Sequence, residues 1–127
     1  MNKYLFDGKD IAQPLTPVKE DWETTYTPDS GRVMSGNAIL DPMFTVESFG
    51  LEFANLTPEQ VSELLQVVVP RASKNTFSFT YYSPYYGKWR TDEFYTGKGT
   101  LNIRRAKDDD TRYERISFNV IGVNPIT

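Results

Sequence analysis

Between Thr76 and Val123 apolar and polar residues alternate stretch after stretch, and a period of two commits this half of the chain to a sheet. Thr76-Phe-Ser-Phe-Thr-Tyr81 places Phe77, Phe79 and Tyr81 on one face. Ser83 to Gly87 reads as a turn, and Trp89 to Thr96 as the returning strand. Gly97-Lys98-Gly99 reads as a second turn. Thr100 to Ala106 follows, with Leu101 and Ile103 inward and Asn102 and Arg104 outward. Asp108-Asp109-Asp110 forms a polar turn, and Arg112 to Val123 alternates Ile116, Phe118 and Val120. The pattern predicts a four-stranded antiparallel meander.

The first half is less regular. Lys3 to Ile11 reads as a small hairpin, since Asp7-Gly8 can supply the positive φ of a two-residue turn. Pro14 and Pro17 then interrupt, and residues 13–31, rich in Pro and Thr, read as an extended loop or arm reaching a neighbour. Within it Trp22, Thr24 and Tyr26 alternate with Glu23 and Thr25, so Asp21 to Tyr26 can form a short strand. Thr27 to Gly31 is a loop by composition. Arg32 to Leu40 reads as another strand, weakened by Gly36, and Asp41-Pro42 as a turn. Met43 to Phe53 is the longest strand. Phe44 and Val46 share one parity while Phe49, Leu51 and Phe53 share the other, which predicts a β-bulge near Ser48-Gly50.

One helix interrupts the sheet pattern. Thr57 is a good N-cap, Pro58 suits the first helical position, and Gln60 three residues on completes a capping box. Leu56 is placed to staple onto Val61. Val61, Leu64, Leu65 and Val68 recur at helical spacing until Pro70, giving a helix at about 58–69 with its apolar face on the sheet. The fold expected is mainly β (α+β): a single domain over 1–127, an antiparallel β-sandwich or partly closed barrel with one α-helix packed on it. A chain of 127 residues, 39% apolar and 14% aromatic, has the material for one such core without staples.

Cysteine and histidine are both absent. Disulfides, thiolate metal sites and His-based acid–base or nucleophilic catalysis within the chain are thereby excluded. No apolar run approaches the ~18–20 residues of a membrane span, and Tyr4 to Phe6 is too short for a signal peptide. The expectation is a soluble protein made in the cytoplasm. A net charge of −3 argues against binding driven by phosphate contacts. That charge is uneven: residues 1–63 carry eleven acids and four bases (−7), residues 64–127 six acids and ten bases (+4). Complementary faces meeting between copies would use this asymmetry; strands interleaving in the fold would average it out.

Asp108-Asp109-Asp110 could bind a hard cation such as Ca²⁺, but it lacks the ligand spacing and glycine of an EF-hand loop and serves equally as a solubilising turn. Asp92 and Glu93 point to opposite faces of a strand, a poor geometry for shared acid–base work. Arg104, Arg105, Arg112 and Arg115 form a basic stretch that could meet nucleic acid or an acidic protein surface, or pair with the Asp triplet and Glu114 across the hairpin. Tyr81, Tyr82, Tyr85, Tyr86, Trp89, Phe94 and Tyr95 crowd one hairpin, whose tip Pro84-Tyr85-Tyr86-Gly87 is either a docking surface or a packed loop. Gly31, Gly36, Gly97 and Gly99 form no phosphate cradle, because none joins a strand to a helix start. No catalytic constellation, metal site or cofactor site emerges.

The order of these features resembles a group of small phage and prophage proteins. The shared pieces are Gly8-Lys9-Asp10-Ile11, Arg32 to Gly36, Leu56 to Gln60, Phe77 to Pro84, Arg90 to Gly97 and Phe118 to Ile121. The resemblance implies a virion component, synthesised in a bacterial host's cytoplasm and similar to tail tube, terminator or distal-tail proteins of β-sandwich type. Such proteins form homo-oligomeric rings, commonly hexamers, through sheet edges and extended loops. On this reading the partners are other copies and other virion proteins, with no specific nucleic-acid contact and no membrane. Trp22, Tyr26, Tyr85, Tyr86 and Trp89 are the expected contact residues. The competing expectation is a monomeric carbohydrate- or receptor-binding β-sandwich module that uses Tyr85, Tyr86 and Trp89 as a platform.

Overall fold

The computed structural model describes residues 3–26, 31–32, 38–39, 42–105 and 112–127, with side chains described at 3–26, 43–103 and 113–127. Its strands are β1 (Leu5–Phe6), β2 (Lys19–Tyr26), β3 (Gly31–Arg32), β4 (Ala38–Ile39), β5 (Pro42–Ala54), β6 (Phe77–Ser83), β7 (Lys88–Arg105) and β8 (Arg112–Gly122). The helix α1 (Pro58–Val68) lies between β5 and β6. Six strands form one antiparallel sheet in the order β1-β6-β7-β8-β5-β2, and β3 and β4 pair separately. Among the described residues the fold is thus mainly β, antiparallel, with a single helix, and its sheet does not close into a barrel. Among the described residues no helix is long and apolar enough to cross a membrane.

The sheet curls strongly. Three strand spacings separate β6 from β5, which in a flat sheet would hold them about 14 Å apart. Yet the rings of Phe49 and Tyr81 are 5.2 Å apart across that interval, and those of Phe6 and Phe53 are 6.1 Å apart across one strand more. Curling lets one sheet supply opposite walls of a core in which Phe6, Phe49, Phe53, Phe77, Phe79, Tyr81 and Phe94 are all buried. Val61, Leu64 and Val68 of α1 are also buried, the last two as members of this core cluster, and Leu56 packs on it from before the cap.

The helix follows its local signals. Gln60 N–H donates to Thr57 Oγ1 at 3.2 Å, and Thr57 N–H donates to Gln60 Oε1 at 3.0 Å. At the other end Thr96 Oγ1 donates to Val68 O at 2.7 Å, and the Arg71 guanidinium donates to Gln66 O and Val69 O. Carbonyls that the last turn leaves unpaired are thereby satisfied from the sheet and from the following loop.

Several strand expectations are corrected. The meander has three strands, not four, because β7 runs unbroken through Gly97-Lys98-Gly99. Neither glycine has the positive φ of a tight turn; together they absorb a register shift between Thr96 and Gly99. No bulge lies at Ser48-Gly50, where β5 keeps register with both β2 and β8. The apolar phase changes there because Glu47 points into the core side while Val46 is buried on the opposite face. The Asp7-Gly8 turn forms, with φ of 53° and 76°, and Phe6 and Lys9 exchange hydrogen bonds across it. Beyond that bridge the strand leaves the hairpin and pairs with β6 instead.

Residues 13–31 are not an arm throughout, since Lys19–Tyr26 form the last strand of the main sheet. Alternation of Trp22, Thr24 and Tyr26 outweighed the composition of the segment. Arg32 to Leu40 is not one strand: Gly31 pairs with Ile39 and Arg32 with Ala38, so the chain reverses between them. Gly36 and the Asp108-Asp109-Asp110 triplet lie outside the described residues.

Candidate functional site

The aromatic hairpin divides its residues between the two faces of the sheet. Tyr81 is opposite Arg90 and Tyr82 opposite Trp89, so Arg90 shares the core face and Trp89 the outer face. Trp89 packs edge-on against Tyr4 and Tyr82, at 5.2 and 5.9 Å. Tyr86 lies on the Arg90 side, with the guanidinium 4.0 Å above its ring centroid. Tyr85, Tyr86 and Trp89 therefore do not share one flat platform.

The hairpin tip engages the end of the chain. Tyr85 OH donates to Thr127 O at 2.8 Å, and Tyr86 OH accepts from Thr127 N–H at 3.2 Å. Hydrogen bonds from the Thr127 side chain and backbone hold the Tyr86 phenol below its usual pKa. Ile126 N–H in turn donates to Thr45 O. Of the three hairpin candidates, Tyr85 is the one left exposed, at 56%.

Beneath this tip sits a buried polar cluster that the sequence did not flag. Glu47 is 4% exposed, and its two carboxylate oxygens accept from Tyr81 OH at 3.0 Å and Ser83 Oγ at 2.7 Å. Burial, the Glu47 charge and the hydrogen bond to it push the Tyr81 phenol well above its ordinary range. With Tyr86, Arg90, Asp92 and the 124–127 tail, Glu47 and Tyr81 line a cavity of about 240 Å³. Asn124 Nδ2 donates to Asp92 Oδ1 at 2.7 Å and closes one side of it. A sequence signal existed: Glu47 occupies the core parity of β5, and that charge is what the alternation pattern rendered as a bulge.

The two sheet edges differ. On β1, Leu5 and Asp7 turn their backbone toward β6, as the Asp7 N–H to Ser78 O bond of 2.8 Å shows, so Tyr4 and Phe6 turn outward. Both are sealed. The Gln13 amide donates to Tyr4 O at 2.8 Å and accepts from Tyr4 N–H at 3.0 Å, while Lys9 pairs with Phe6. Gln13 thus imitates a neighbouring strand and blunts the edge.

On β2 nothing comparable occurs. Leu15 N–H donates to Glu52 O and Ile126 N–H to Thr45 O, which fixes the phase of β5: even residues face β2 and odd residues face β8. Lys19, Asp21 and Glu23 consequently bond Gly50, Ser48 and Val46, leaving the backbone groups of Glu20, Trp22 and Thr24 turned outward. Among the described residues none caps them.

Trp22 is 72% exposed on this edge, and Tyr26, Met43 and Phe44 are exposed nearby. Glu20, Asp21 and Glu23 have no ion-pair partner among the described residues. Partial burial and the neighbouring Glu47 and Asp21 charges raise the Glu20 carboxyl above its usual pKa. Two expected contact residues, Trp22 and Tyr26, therefore lie on an open, acidic edge strand. Arg115 of the basic stretch instead pairs with Glu52 of β5 at 3.1 Å.

No protein-family model matches the chain, and no curated protein matches it in sequence.

Proposed function

We propose that this chain is a structural virion protein of a phage tail or tail junction, whose copies assemble into a homo-oligomeric ring by adding strand to strand at a sheet edge. The observation that carries the reading is the contrast between edges: β1 is sealed by Gln13 and Lys9, while the eight-residue β2 has no cap among the described residues and displays Trp22. An exposed strand of this length is a template for another strand, and soluble monomers ordinarily suppress it. A ring built head to tail needs one surface that donates and a different one that receives, and unequal edges suit that requirement.

Light scattering on the chain as it elutes from a sizing column, over a range of concentrations, tests the proposal. A discrete multimer is expected. Thr24→Pro deletes one outward N–H and spares the backbone bonds to β5, losing besides it only the Thr24–Thr45 hydroxyl bond, so it should reduce the mass to that of a monomer. Thr24→Val keeps the N–H and should leave the multimer intact. A wild-type chain that stays strictly monomeric at high concentration would refute assembly through this edge.

A further inference from the structure

The receiving surface for β2 can be identified on the same chain. Strand β6 pairs with β7 only as far as Phe94, so the stretch of β7 from Tyr95 to Arg105 has β8 as its one described sheet neighbour. The backbone phase carries across the sheet. Ile116 and Phe118 face β5, hence Arg115 and Ser117 face β7 and bond Asn102 and Thr100. Gly99 and Leu101 are left turned outward along a second open edge. This edge carries Lys98, exposed, and leads on to Arg104 and Arg105 in sequence.

Beside it lies an apolar groove of about 220 Å³, between the C-terminal turn of α1 and β7. Leu65, Val68, Val69 and Pro70 form one wall, and Gly97, Gly99 and Leu101 the other. Val69 is itself 43% exposed.

We infer that β2 of one copy adds to this β7 edge of the next, seating Trp22 in the groove between α1 and β7. The inference rests on the assembly reading above and assigns both of its surfaces. Three independent features agree. The first is hydrogen-bond phase: Trp22 presents outward backbone groups on β2, and Gly99 and Leu101 present them on β7, so these residues can pair directly.

The second is side-chain face. Trp22 is opposite Glu47 and so stands on the core face of its sheet, while Gly99 and Leu101 are opposite Phe118 and Ile116 on that same face. A continuous sheet therefore carries Trp22 to the side where the groove opens.

The third is charge. With Trp22 antiparallel to Gly99, where no side chain obstructs the indole, Glu23 falls opposite Lys98, and Asp21 opposite Thr100. Pairing β2 with itself is worse. Registers centred on Trp22 or on Glu23 put Asp21 opposite Glu23, or Glu23 opposite its own copy, and like charges directly opposed are destabilising.

Cross-linking tests the contact, and the absence of native cysteine makes it clean. In the proposed register Glu23 and Lys98 form a pair without mutual backbone hydrogen bonds, where side chains approach most closely and a disulfide fits. The full-length Glu23→Cys/Lys98→Cys chain, oxidised mildly at a concentration where it scatters as a multimer, should give a ladder of covalent multimers on a non-reducing gel. A Glu23→Cys/Ser73→Cys chain should not. Separately, Trp22→Ala should raise the concentration needed for assembly by about tenfold or more, as truncating a buried aromatic anchor does. Multimers that form without the ladder and ignore Trp22→Ala would overturn this docking while leaving ring assembly intact. Monomers at every concentration would overturn both.

Discussion

Removing one hydroxyl from the buried cluster gives the sharpest test of how the core is held together. Tyr81→Phe preserves the ring contacts with Phe49, Phe79 and Phe94, at 5.2, 5.5 and 5.0 Å, and deletes only the donor to Glu47. A hydrogen bond to a charged acceptor contributes about 1.5–3 kcal/mol, and here the carboxylate left behind is nearly out of reach of water. The expected loss is therefore about 2 kcal/mol, measured by equilibrium unfolding in urea with an unchanged denaturant slope. In a Glu47→Leu background the hydroxyl has no acceptor, and the same substitution should cost less than about 0.5 kcal/mol. The implied coupling is at least about 1 kcal/mol. Alkaline pH supplies a second reading. Because the folded-state pKa of Tyr81 is raised above its ordinary value of 10.0, its contribution is fully present below that value and declines as pH rises past it. Tyr81→Phe should flatten that part of the stability profile. A coupling near zero with an unaltered alkaline limb would refute the claim that Glu47 and Tyr81 act as a unit.

Other expectations concern local elements. Thr57→Ala removes the acceptor for Gln60 N–H at the start of α1 and should cost about 1 kcal/mol in the same unfolding assay, with helical circular dichroism retained below the transition. For Asp7, burial works against ionisation, but the ion pair with Lys74 and the Ser78 N–H more than offset it and lower its pKa. Its stabilisation is present at neutral pH and is lost as pH falls through the folded-state value, so Asp7→Asn should reduce the acid-side slope. The change at neutral pH should be no more than about 1 kcal/mol, because the pair is partly solvent-screened and asparagine tolerates the positive φ.

Local chemistry was legible in the sequence where one residue type decides the backbone. The helix start at Thr57-Pro58, the turn at Asp7-Gly8 and the core faces of β6 and β8 are of this kind. What was not legible depends on distant partners. A Gly-Lys-Gly triplet can reverse the chain or bulge within it, and β8 running alongside settled which. Glu47 looked like a break in alternation because the hydroxyls that receive it, Tyr81 and Ser83, arrive from more than thirty positions away. Gln13 offered no sign that its amide would close an edge. The candidate site fared likewise. Trp22 and Tyr26 were identifiable as exposed aromatics, whereas the joining of Tyr85 and Tyr86 to the chain's end, and of Trp89 to Tyr4, exists only in three dimensions.

The charge asymmetry of the two halves takes on a physical meaning in this topology. Sheet order places β2 and β7 apart, with β5 and β8 between them, so interleaving does not bring their open edges together to average the charge out. Glu20, Asp21 and Glu23 stay grouped on one edge, and Lys98 stands exposed on the other. A chain with two open edges of like charge would have no reason to prefer one pairing over another. Here self-pairing of β2 opposes acid to acid, while pairing β2 with the β7 edge sets Glu23 opposite Lys98. The proposed contact is therefore directional, and directionality is what distinguishes a closing ring from indiscriminate edge-to-edge aggregation. Its electrostatic part should weaken with salt while the Trp22 seat should not, so added salt would slow assembly more than it would dissolve assembled rings.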